Sequence, residues 1–462
     1  MLIVGGNQST GGYEVSNSLR FNDGSSDKLT RSNGTPDSER KFTFSLWTKR
    51  SNLGNFHIMQ GFYNNSSNYC AISFLNNTDE LDFINYQGST TARKITNRKF
   101  RDPNAFYHVV VAVDTTQGTA DNRIKMYING VQETSFRVNT APSQNADLGV
   151  DMSTAAIGVG EGGSIGYYDG YMAEVCFIDN QALDPTSFGE FDEDSAIWKP
   201  IDVSDLTFGN NGYYLDFENS SSLGADVSGN GNNFSVSNLT SIDQSIDTCT
   251  NNFCTLNGLS KDSGIELAEG NLKYVQNAAG ANGCVGTFGL TQGKWYFEVK
   301  DEQVGNDTQI GVYDGTDGKG YPTAYLGANS SSWGVISING NRIHNGSQSS
   351  YGSGFSSNDI IMVAIDMDNG KWYAGKNGTW FNSGNPATGS NPAHSGINGG
   401  TGTIFPAISN NNTGNLSYLH NFGSPPFSIS SGNSDADGHG NFEYSVPSGY
   451  FALCSKNLAE YG

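Results

Sequence analysis

The stretch VAIDMDNGKWYAGKNGTWF at residues 363–381 contains the pattern that decides the fold. An apolar strand ends at Asp366, a polar turn and a Tyr-bearing strand follow, and an Asn-Gly dipeptide stands at 377–378. The same order recurs in VVVAVDTTQGTADNRIKMYINGVQ at 109–132, where Asn-Gly stands at 129–130. Asn-Gly supplies the positive φ that a tight type I′ hairpin requires at both central positions. We therefore predict a hairpin that belongs to the frame of two similar β-rich halves, with Trp372 and Tyr373 on opposite faces of its strand.

Composition and charge narrow the class of protein. The chain has 462 residues, 59 glycines, 12% aromatic and only 15% charged residues, which favours strands and turns over helices. Its formal net charge of −21 makes nucleic acid and anionic membrane surfaces poor partners. No apolar run is long enough to insert into a membrane. The opening MLIVGGNQSTGG has no basic region, so we expect no signal peptide.

Strand patterns dominate the chain and divide it into two blocks. Alternation in KFTFSLW, YCAISFL and YHVVVAVD, bounded by Asn, Gly and Asp, predicts short strands, and Asp184-Pro185 begins a helix-like turn. The fold class is therefore all-β: two concanavalin A-like, jelly-roll β-sandwiches in tandem, joined by a connector. We predict a first sandwich at 1–195 with an N-terminal arm, a Ser/Asn-rich connector with some strand at 196–265, and a second sandwich at 266–462.

The second block resembles a SPRY domain. The carriers are KWYFEV, IGVY, YLGANSSSWGV, IHNG, NDIIMVAIDMDNGKWYAGKNG, IFPAIS and NFGSPPF, in that order over 294–428. Asn358 departs from the family pattern, which usually has Gly there, and KWYAGKNG is a loose version of its strand. The resemblance implies a bent two-sheet sandwich that binds partners through loops and has no catalytic centre.

The first block resembles a laminin G/concanavalin A-like domain over 15–190, on FTFSLWTKRS, FYHVVVAVD, IKMYINGVQ and GYMAEVCFIDNQAL. The whole arrangement, including the connector strings DVSGNGNNF and NNFCTLN, is similar to tandem virion proteins of tailed bacteriophages. That resemblance implies localisation in the virion, after synthesis in the host cytoplasm without a signal peptide.

The sequence contains the residue patterns of several catalytic motifs, but the secondary structure that these motifs require is not predicted around them. GVGEGGSIG at 158–166 matches both GxGxxG and GxSxG, yet a strand rather than a helix follows it. Glu190 and Asp192 have the spacing of paired glycosidase carboxylates, but they follow the turn at Pro185 without apolar alternation. The six histidines have no zinc-ligand spacing. We predict no catalytic residues and hence no enzyme.

Calcium is the one cofactor for which the sequence offers ligands. Asp226, Asn230 and Asn232 place oxygen atoms on a Gly-bent loop, where either Ca²⁺ or a plain Asn/Gly turn fits. A second loop of this kind carries Asp314 and Asp317. The pair CTNNFC at 249–254 permits either a local disulfide or two free thiols.

Ligand binding is predicted at a loop cluster in the SPRY-like half. Tyr313, Asp314, Tyr321 and Tyr325 combine aromatic rings with a polar group, which suits sugars and protein loops alike. Trp333 is expected in the core.

The function that follows is a non-enzymatic phage virion structural protein, a tail-fibre or adhesin type that binds host-surface glycan or protein through sandwich loops. The alternatives are a capsid decoration or head-fibre protein, a concanavalin-like glycan depolymerase, and an intracellular host-interaction module. The expected partners are other virion proteins, bound through residues 1–14, and further copies of the chain, with a trimer as the expected oligomer although no heptad repeat supports it.

Overall fold

The computed structural model describes residues 12–160, 162–276, 278–303, 307–316, 318–397, 402–411 and 416–462. These residues form two compact units that meet in sequence between Thr250 and Asn251. The docking role predicted for residues 1–14 concerns a segment of which 1–11 lie outside the described residues.

Two antiparallel sheets form the first unit. Sheet A has the strand order β10-β9-β8-β3-β13-β1-β18, with β16 paired to β13, and sheet B has the order β11-β7-β6-β5-β4-β12-β2-β17. A separate pair joins β14 to β15. In chain order the strands are β1 (Ser18–Phe21), β2 (Lys28–Ser32), β3 (Lys41–Arg50), β4 (His57–Asn65), β5 (Asn68–Phe74), β6 (Glu80–Gln87), β7 (Thr90–Lys99), β8 (Tyr107–Asp114), β9 (Ile124–Ile128), β10 (Val131–Gln132), β11 (Phe136–Thr140), β12 (Thr154–Ile157), β13 (Gly170–Asp179), β14 (Gly189–Phe191), β15 (Trp198–Pro200), β16 (Tyr213–Leu215), β17 (Ser235–Ser237) and β18 (Gln244–Ser245).

Alternating apolar residues of the two sheets form the core of this unit. Phe44 on β3 packs against Phe62 on β4 and Phe83 on β6, with ring centroids 5.9 and 6.5 Å apart. Successive residues of a strand point to opposite faces, so the residues directly before and after each of these aromatics face away from this core. The predicted all-β sandwich is confirmed for this unit, as is the turn at Pro185, where Asp184 caps a 3-10 helix at Pro185–Ser187.

The predicted connector at 196–265 differs from what the structure has. Residues up to Thr250 belong to the first unit, where β16, β17 and β18 pair with core strands, and β19 of the second unit begins at Leu256. Strands of two or three residues separated by Asn, Ser and Gly turns have the composition of a linker. Pairing at the edge of an existing sheet is what makes them part of the fold.

The second unit is also built on two sheets. Sheet C has the order β19-β22-β32-β24-β25-β26-β27, and sheet D has the order β20-β21-β33-β23-β28-β29-β30, with β31 paired to β29 and β34 parallel to β23. Its elements are β19 (Leu256–Lys261), β20 (Ile265–Ala268), β21 (Lys273–Gln276), β22 (Asn282–Gly286), β23 (Lys294–Gln303), β24 (Thr308–Tyr313), β25 (Ser332–Ile336), β26 (Arg342–His344), β27 (Ser347–Ser349), β28 (Ile360–Asp366), β29 (Lys371–Lys376), β30 (Thr379–Trp380), β31 (His394–Ser395), β32 (Phe405–Asn410), β33 (Leu416–Asn421), β34 (Phe451–Ala452) and α1 (Ser455–Tyr461).

The core of the second unit is as apolar as that of the first. Trp295 on β23, Ile310 on β24 and Trp372 on β29 are fully buried between the sheets, and Trp333 lies with them at 5% exposure, as expected. The second sandwich is therefore confirmed as well. The remaining 3-10 turns lie at Asp23–Ser25, Ala120–Asn122, Phe381–Ser383 and Pro386–Thr388.

Candidate functional site

The repeated Asn-Gly units are type I′ hairpins, as predicted. Both central residues have positive φ in each, with 48° and 76° at 129–130 and 49° and 81° at 377–378. Trp372 and Tyr373 lie on opposite faces, and both are fully buried. The hairpins are therefore part of the frame, and neither aromatic ring is a surface contact.

Of the residues predicted as a ligand site in the second unit, two are buried and two are half-buried, and Tyr321 packs against the same small cluster as Tyr313. Tyr313 is fully buried in a small cluster with Val285 and Leu326. Asp314 is also buried, and its carboxylate accepts hydrogen bonds from the backbone and hydroxyl of Thr316 at 2.9 and 2.7 Å. Tyr321 and Tyr325 are half-buried, so they are the two of this set that present surface. The neighbouring Asp317 lies outside the described residues.

The predicted calcium loop does not fit Ca²⁺. The two carboxylate oxygens of Asp226 accept backbone N–H groups, including that of Asn232 at 2.7 Å. The Asn230 amide donates to the carbonyl of Gly212 at 2.9 Å. Asn232 Oδ1 accepts from the Arg31 guanidinium at 3.1 Å, which places a fixed positive charge where the ion would bind. These bonds account for the Gly-bent loop, and burial lowers the pKa of Arg31 without making it neutral.

Within the described ranges, no group of three or more His, Cys, Asp and Glu side chains could hold a metal ion. Cys249 and Cys254 are buried, reduced thiols that form no disulfide, as are the other four cysteines, and burial raises the pKa of the Cys249 thiol.

Glu190 and Asp192 share one cation at the surface rather than a cleft. Lys199 Nζ lies 3.2 Å from Glu190 and 3.3 Å from Asp192. Hydrogen bonds from Ser195, together with Lys199, lower the pKa of Asp192 to about 2. A glycosidase acid needs a raised pKa, so Asp192 lacks the electrostatics of that role.

A buried Ser–His pair is also unsuited to nucleophilic catalysis. Ser45 Oγ lies 3.0 Å from His108 Nε2, and Trp198 Nε1 donates to His108 Nδ1 at 3.0 Å. Burial lowers the pKa of His108 to about 3, so the ring is neutral and carries its single proton on Nε2. That proton points at the serine hydroxyl, whereas a general base needs a bare nitrogen there.

A row of three tyrosines crosses the outer face of sheet B. Tyr63 on β4 stands directly opposite Tyr69 on β5, and Tyr69 stands opposite Tyr86 on β6. Phe62 and Cys70, their neighbours in sequence, face the core, so the three tyrosines point away from it. The rings of Tyr69 and Tyr86 stack at 5.4 Å with an interplanar angle of 24°, and all three side chains are half-buried. We call these residues the tyrosine row.

Small residues and a glycine loop shape the surface beside the tyrosine row. The next cross-strand pair on the same face of the sheet is Gly61 and Ala71. Because these residues are small, the tyrosine rings protrude beyond the surface beside them. Gly163 approaches so closely that a side-chain carbon there would lie 2.6 Å from the Tyr63 hydroxyl. The Gly163 carbonyl accepts from Lys28 Nζ at 2.8 Å, and Lys28 lies 5.7 Å from the centre of the Tyr167 ring. The GVGEGGSIG string, of which residue 161 lies outside the described part, thus borders this face.

The sequence contains a signal for this row that was not recognised. In FYNNSSNYC, Tyr63 and Tyr69 stand at equal distance from the hairpin centre, and each adjoins an inward-facing residue. Register then brings them opposite each other. Tyr86 could not be found in this way because it lies on β6, which pairs with β5 through a separate turn between Phe74 and Glu80.

A buried carboxyl group lies on the other sheet of the first unit. Glu174 interrupts β13 at a bulge between Ala173 and Cys176, with a left-handed φ of 51°. Its carboxylate accepts from the hydroxyl of Tyr214 at 2.7 Å and of Tyr13 at 3.3 Å. Burial raises the pKa of Glu174 to about 7. The two hydroxyl groups supply neutral partners only, so the charge is poorly compensated.

Comparisons with known families agree with this architecture. Residues 23–187 match the laminin G model of the concanavalin A-like lectin/glucanases superfamily, and residues 294–423 match the SPRY domain model. No curated protein matches the chain. No helix in the described part of the chain has the length and apolarity needed to cross a bilayer.

Three solved structures are similar to part of the chain, each over 36% of its length. The SPRY domain of human HERC1 is 16% identical over 96% of that domain, with a TM-score of 0.30. Stonustoxin is 21% identical over 27% of that protein, with a TM-score of 0.28. A human SPRY domain is 15% identical over 98% of its length, with a TM-score of 0.26. On the two family matches, the chain carries a concanavalin A-like domain of laminin G type at 23–187 and a SPRY domain at 294–423.

Proposed function

We propose that this chain is a non-enzymatic binding protein that holds a surface glycan on the tyrosine row of its first unit. By its resemblance to tandem virion proteins, the chain would be an adhesin-type structural protein of a tailed-bacteriophage virion. The glycan would be one on the surface of the host cell.

The stacked, half-buried tyrosines are the observation that carries this proposal. Tyrosine presents an apolar ring and a hydroxyl that both donates and accepts, which matches a sugar's C–H groups and hydroxyls. Packing on β-strands holds Tyr63, Tyr69 and Tyr86 in fixed positions, so little side-chain entropy is lost on binding. Adjacent strands lie about 5 Å apart, so the row offers repeated contacts to an extended chain.

Alanine substitution of the row tests the glycan site. Purified wild-type protein should bind host polysaccharide on an array or by calorimetry, and Y69A and Y86A should each weaken binding about fivefold to tenfold. The triple variant with Y63A should lose binding. Circular dichroism and the melting temperature verify that each variant folds.

Tyr325→Ala is the matched control, because Tyr325 is a half-buried tyrosine in the second unit. It should bind glycan as the wild type does. Loss of binding in Y325A, with the row variants unaffected, would place the site in the SPRY domain and contradict the proposal. Release of reducing sugar from the same polysaccharide would contradict the non-enzymatic part of it.

The virion setting has its own test. Antibodies raised against the purified chain should label phage particles in electron micrographs, and labelled tail fibres would agree with the adhesin role. Label on the capsid would favour the decoration or head-fibre alternative. Absence of the chain from purified particles would refute the virion proposal while leaving the glycan test intact.

A further inference from the structure

A groove of about 510 Å³ lies in the second unit, apart from the loops that SPRY-like binding was expected to use. Its walls are the first residues of β23, the turn between β28 and β29, and the C-terminal residues that include α1. This volume lies in the usual range for a small-molecule site.

Backbone contacts join the two strand ends that form one wall. The amide of Gly293 donates to Asp368 Oδ1 at 2.8 Å, and the amide of Met367 donates to the Gly293 carbonyl at 2.9 Å. Gly293 has a φ of 80°, and a side-chain carbon there would lie 2.6 Å from the Tyr461 carbonyl oxygen. Glycine is thus required where β23 begins, and it keeps α1 close to the groove.

A stacked aromatic pair forms the apolar wall. The rings of Phe451 and Tyr461 lie 3.8 Å apart at an interplanar angle of 9°, and both are half-buried. Phe451 is fixed because β34 pairs with β23, where Phe451 stands beside Trp295. The pair presents a flat, rigid surface to the groove.

The polar lining of the groove is predominantly anionic. Asp368 and Glu460 are exposed and line it. Its one cation, Lys294, lies 3.4 Å from Asp366, outside the groove lining, and is thereby compensated. Hydrogen bonding to Asp437, with Glu460 nearby, raises the pKa of the Tyr461 hydroxyl to about 12. A positively charged ligand is therefore favoured, and the net charge of −21 would assist its approach.

We propose that this groove binds an amino sugar with a free, protonated amine. The sugar ring packs on the Phe451–Tyr461 pair, and its ammonium group is held by the carboxylates of Asp368 and Glu460. The site is independent of the tyrosine row and lies in the other unit.

Calorimetry with the full chain and two trisaccharides tests this assignment. At pH 6 the glucosamine trisaccharide should bind at least tenfold more tightly than its fully N-acetylated counterpart, which lacks the positive charge. E460Q and D368N should each weaken glucosamine binding about fivefold or more, and D368N keeps the oxygen that accepts the Gly293 amide. D205N is the control, since it removes the same charge from an exposed site in the first unit.

Two outcomes would overturn the proposal. Equal affinity for the N-acetylated trisaccharide would show that the ammonium group is not recognised. Tighter binding of trilysine than of the glucosamine trisaccharide would indicate a site for basic peptides instead. Tyr69→Ala should leave this binding unchanged, so failure here is distinguishable from failure of the glycan site on the tyrosine row.

Discussion

In the first unit the Asn-Gly hairpin at 129–130 packs beneath Trp198, whereas in the second unit the hairpin at 377–378 lies beside Tyr444. Their bonds to the backbone of a neighbouring strand correspond, although Asn377 also donates to Asp359 Oδ1 at 2.6 Å. Asn129 accepts the His108 amide at 2.7 Å near the start of β8, and Asn377 accepts the Ile360 amide at 2.9 Å at the start of β28.

The likeness extends to the neighbouring strands. Lys41 stands opposite Asp114 in the first unit, and Lys294 stands opposite Asp366 in the second. One local design thus recurs, while the residues packed on its outer side differ. The difference teaches that the stability lost on mutating a hairpin depends on the residues packed against it as much as on the conformation of its turn.

The largest expected effect separates the two turn glycines. A side-chain carbon at Gly130 would lie 2.3 Å from the Trp198 ring, but at Gly378 it would lie 3.1 Å from the Tyr444 ring. Gly130→Val combines overpacking with a strained φ and should cost roughly 3–5 kcal/mol. Gly378→Val should cost roughly 1–3 kcal/mol, chiefly through φ. Calorimetric unfolding measures both.

Gly118→Val is the control for that pair, because Gly118 lies between β8 and β9 with open space around it. It should leave unfolding nearly unchanged. Equal losses for Gly130→Val and Gly378→Val would show that Trp198 adds nothing to the strain.

Two buried glutamates sharpen the comparison further. Glu298 on β23 accepts the backbone amides of Glu443 and Tyr444 at 3.0 and 2.8 Å, whereas Glu174 accepts the side-chain hydroxyls of two tyrosines. Glu174→Gln should stabilise the protein by about 2–3 kcal/mol at pH 8 and have little effect at pH 4.5. Denaturant unfolding at several pH values measures this.

The sign follows from the direction of the shift. Burial raises the pKa of Glu174 from 4.5 to about 7, so the folded state holds the proton more tightly than the unfolded state. Stability is therefore lost as pH rises from about 4.5 to about 7, and glutamine removes that loss. Burial also raises the pKa of Glu298, but its carboxylate accepts two backbone N–H groups that an amide cannot both satisfy, so Glu298→Gln should destabilise the protein where Glu174→Gln stabilises it. A pH-independent gain in Glu174→Gln would refute this account of the buried charge.

The two turn asparagines should respond nearly alike, because the further hydrogen bond that Asn377 donates to Asp359 lies at the exposed surface, where such a bond contributes little. Asn129→Ala and Asn377→Ala each remove a hydrogen bond to a backbone amide and place alanine at a φ near 50°. Each should cost about 1–2 kcal/mol of unfolding free energy. Chemical denaturation compares them, and a difference above about 1 kcal/mol would mean that the turns are not equivalent.

The smallest effects concern the two Lys–Asp pairs. In the first pair Lys41 Nζ lies 3.9 Å from Asp114, and the two side chains are 43% and 14% exposed. In the second pair Lys294 Nζ lies 3.4 Å from Asp366, and the two side chains are 30% and 2% exposed. Lys41→Met should change stability by less than about 0.5 kcal/mol, and Lys294→Met should destabilise by about 1 kcal/mol. The same denaturation experiment at low and high salt checks the order, and a larger loss at Lys41 would reverse it.

Local pattern predicted the frame, because turn chemistry and alternation act over a few residues. The hairpins at 129–130 and 377–378 and the turn at Pro185 follow from Asn-Gly and Asp-Pro alone. The boundary at Thr250 did not follow, since edge pairing of β16, β17 and β18 depends on strands far away in sequence.

The candidate sites were harder to predict than the frame. Tyr313 and Asp314 have the composition of a binding loop, yet Tyr313 ends β24 and packs against Leu326, and both residues are buried. The tyrosine row requires the register of three strands, and the Phe451–Tyr461 pair requires β34 to return beside β23. Exposure and register are long-range properties, so residue type alone cannot supply them.

Hydrogen–deuterium exchange with host polysaccharide tests the central claim most directly, because it reports the bound region without any mutation. The account predicts slower exchange over the tyrosine-row strands at 57–87, with the loop at 313–331 unchanged. Protection of 313–331 with no change over 57–87 would contradict it.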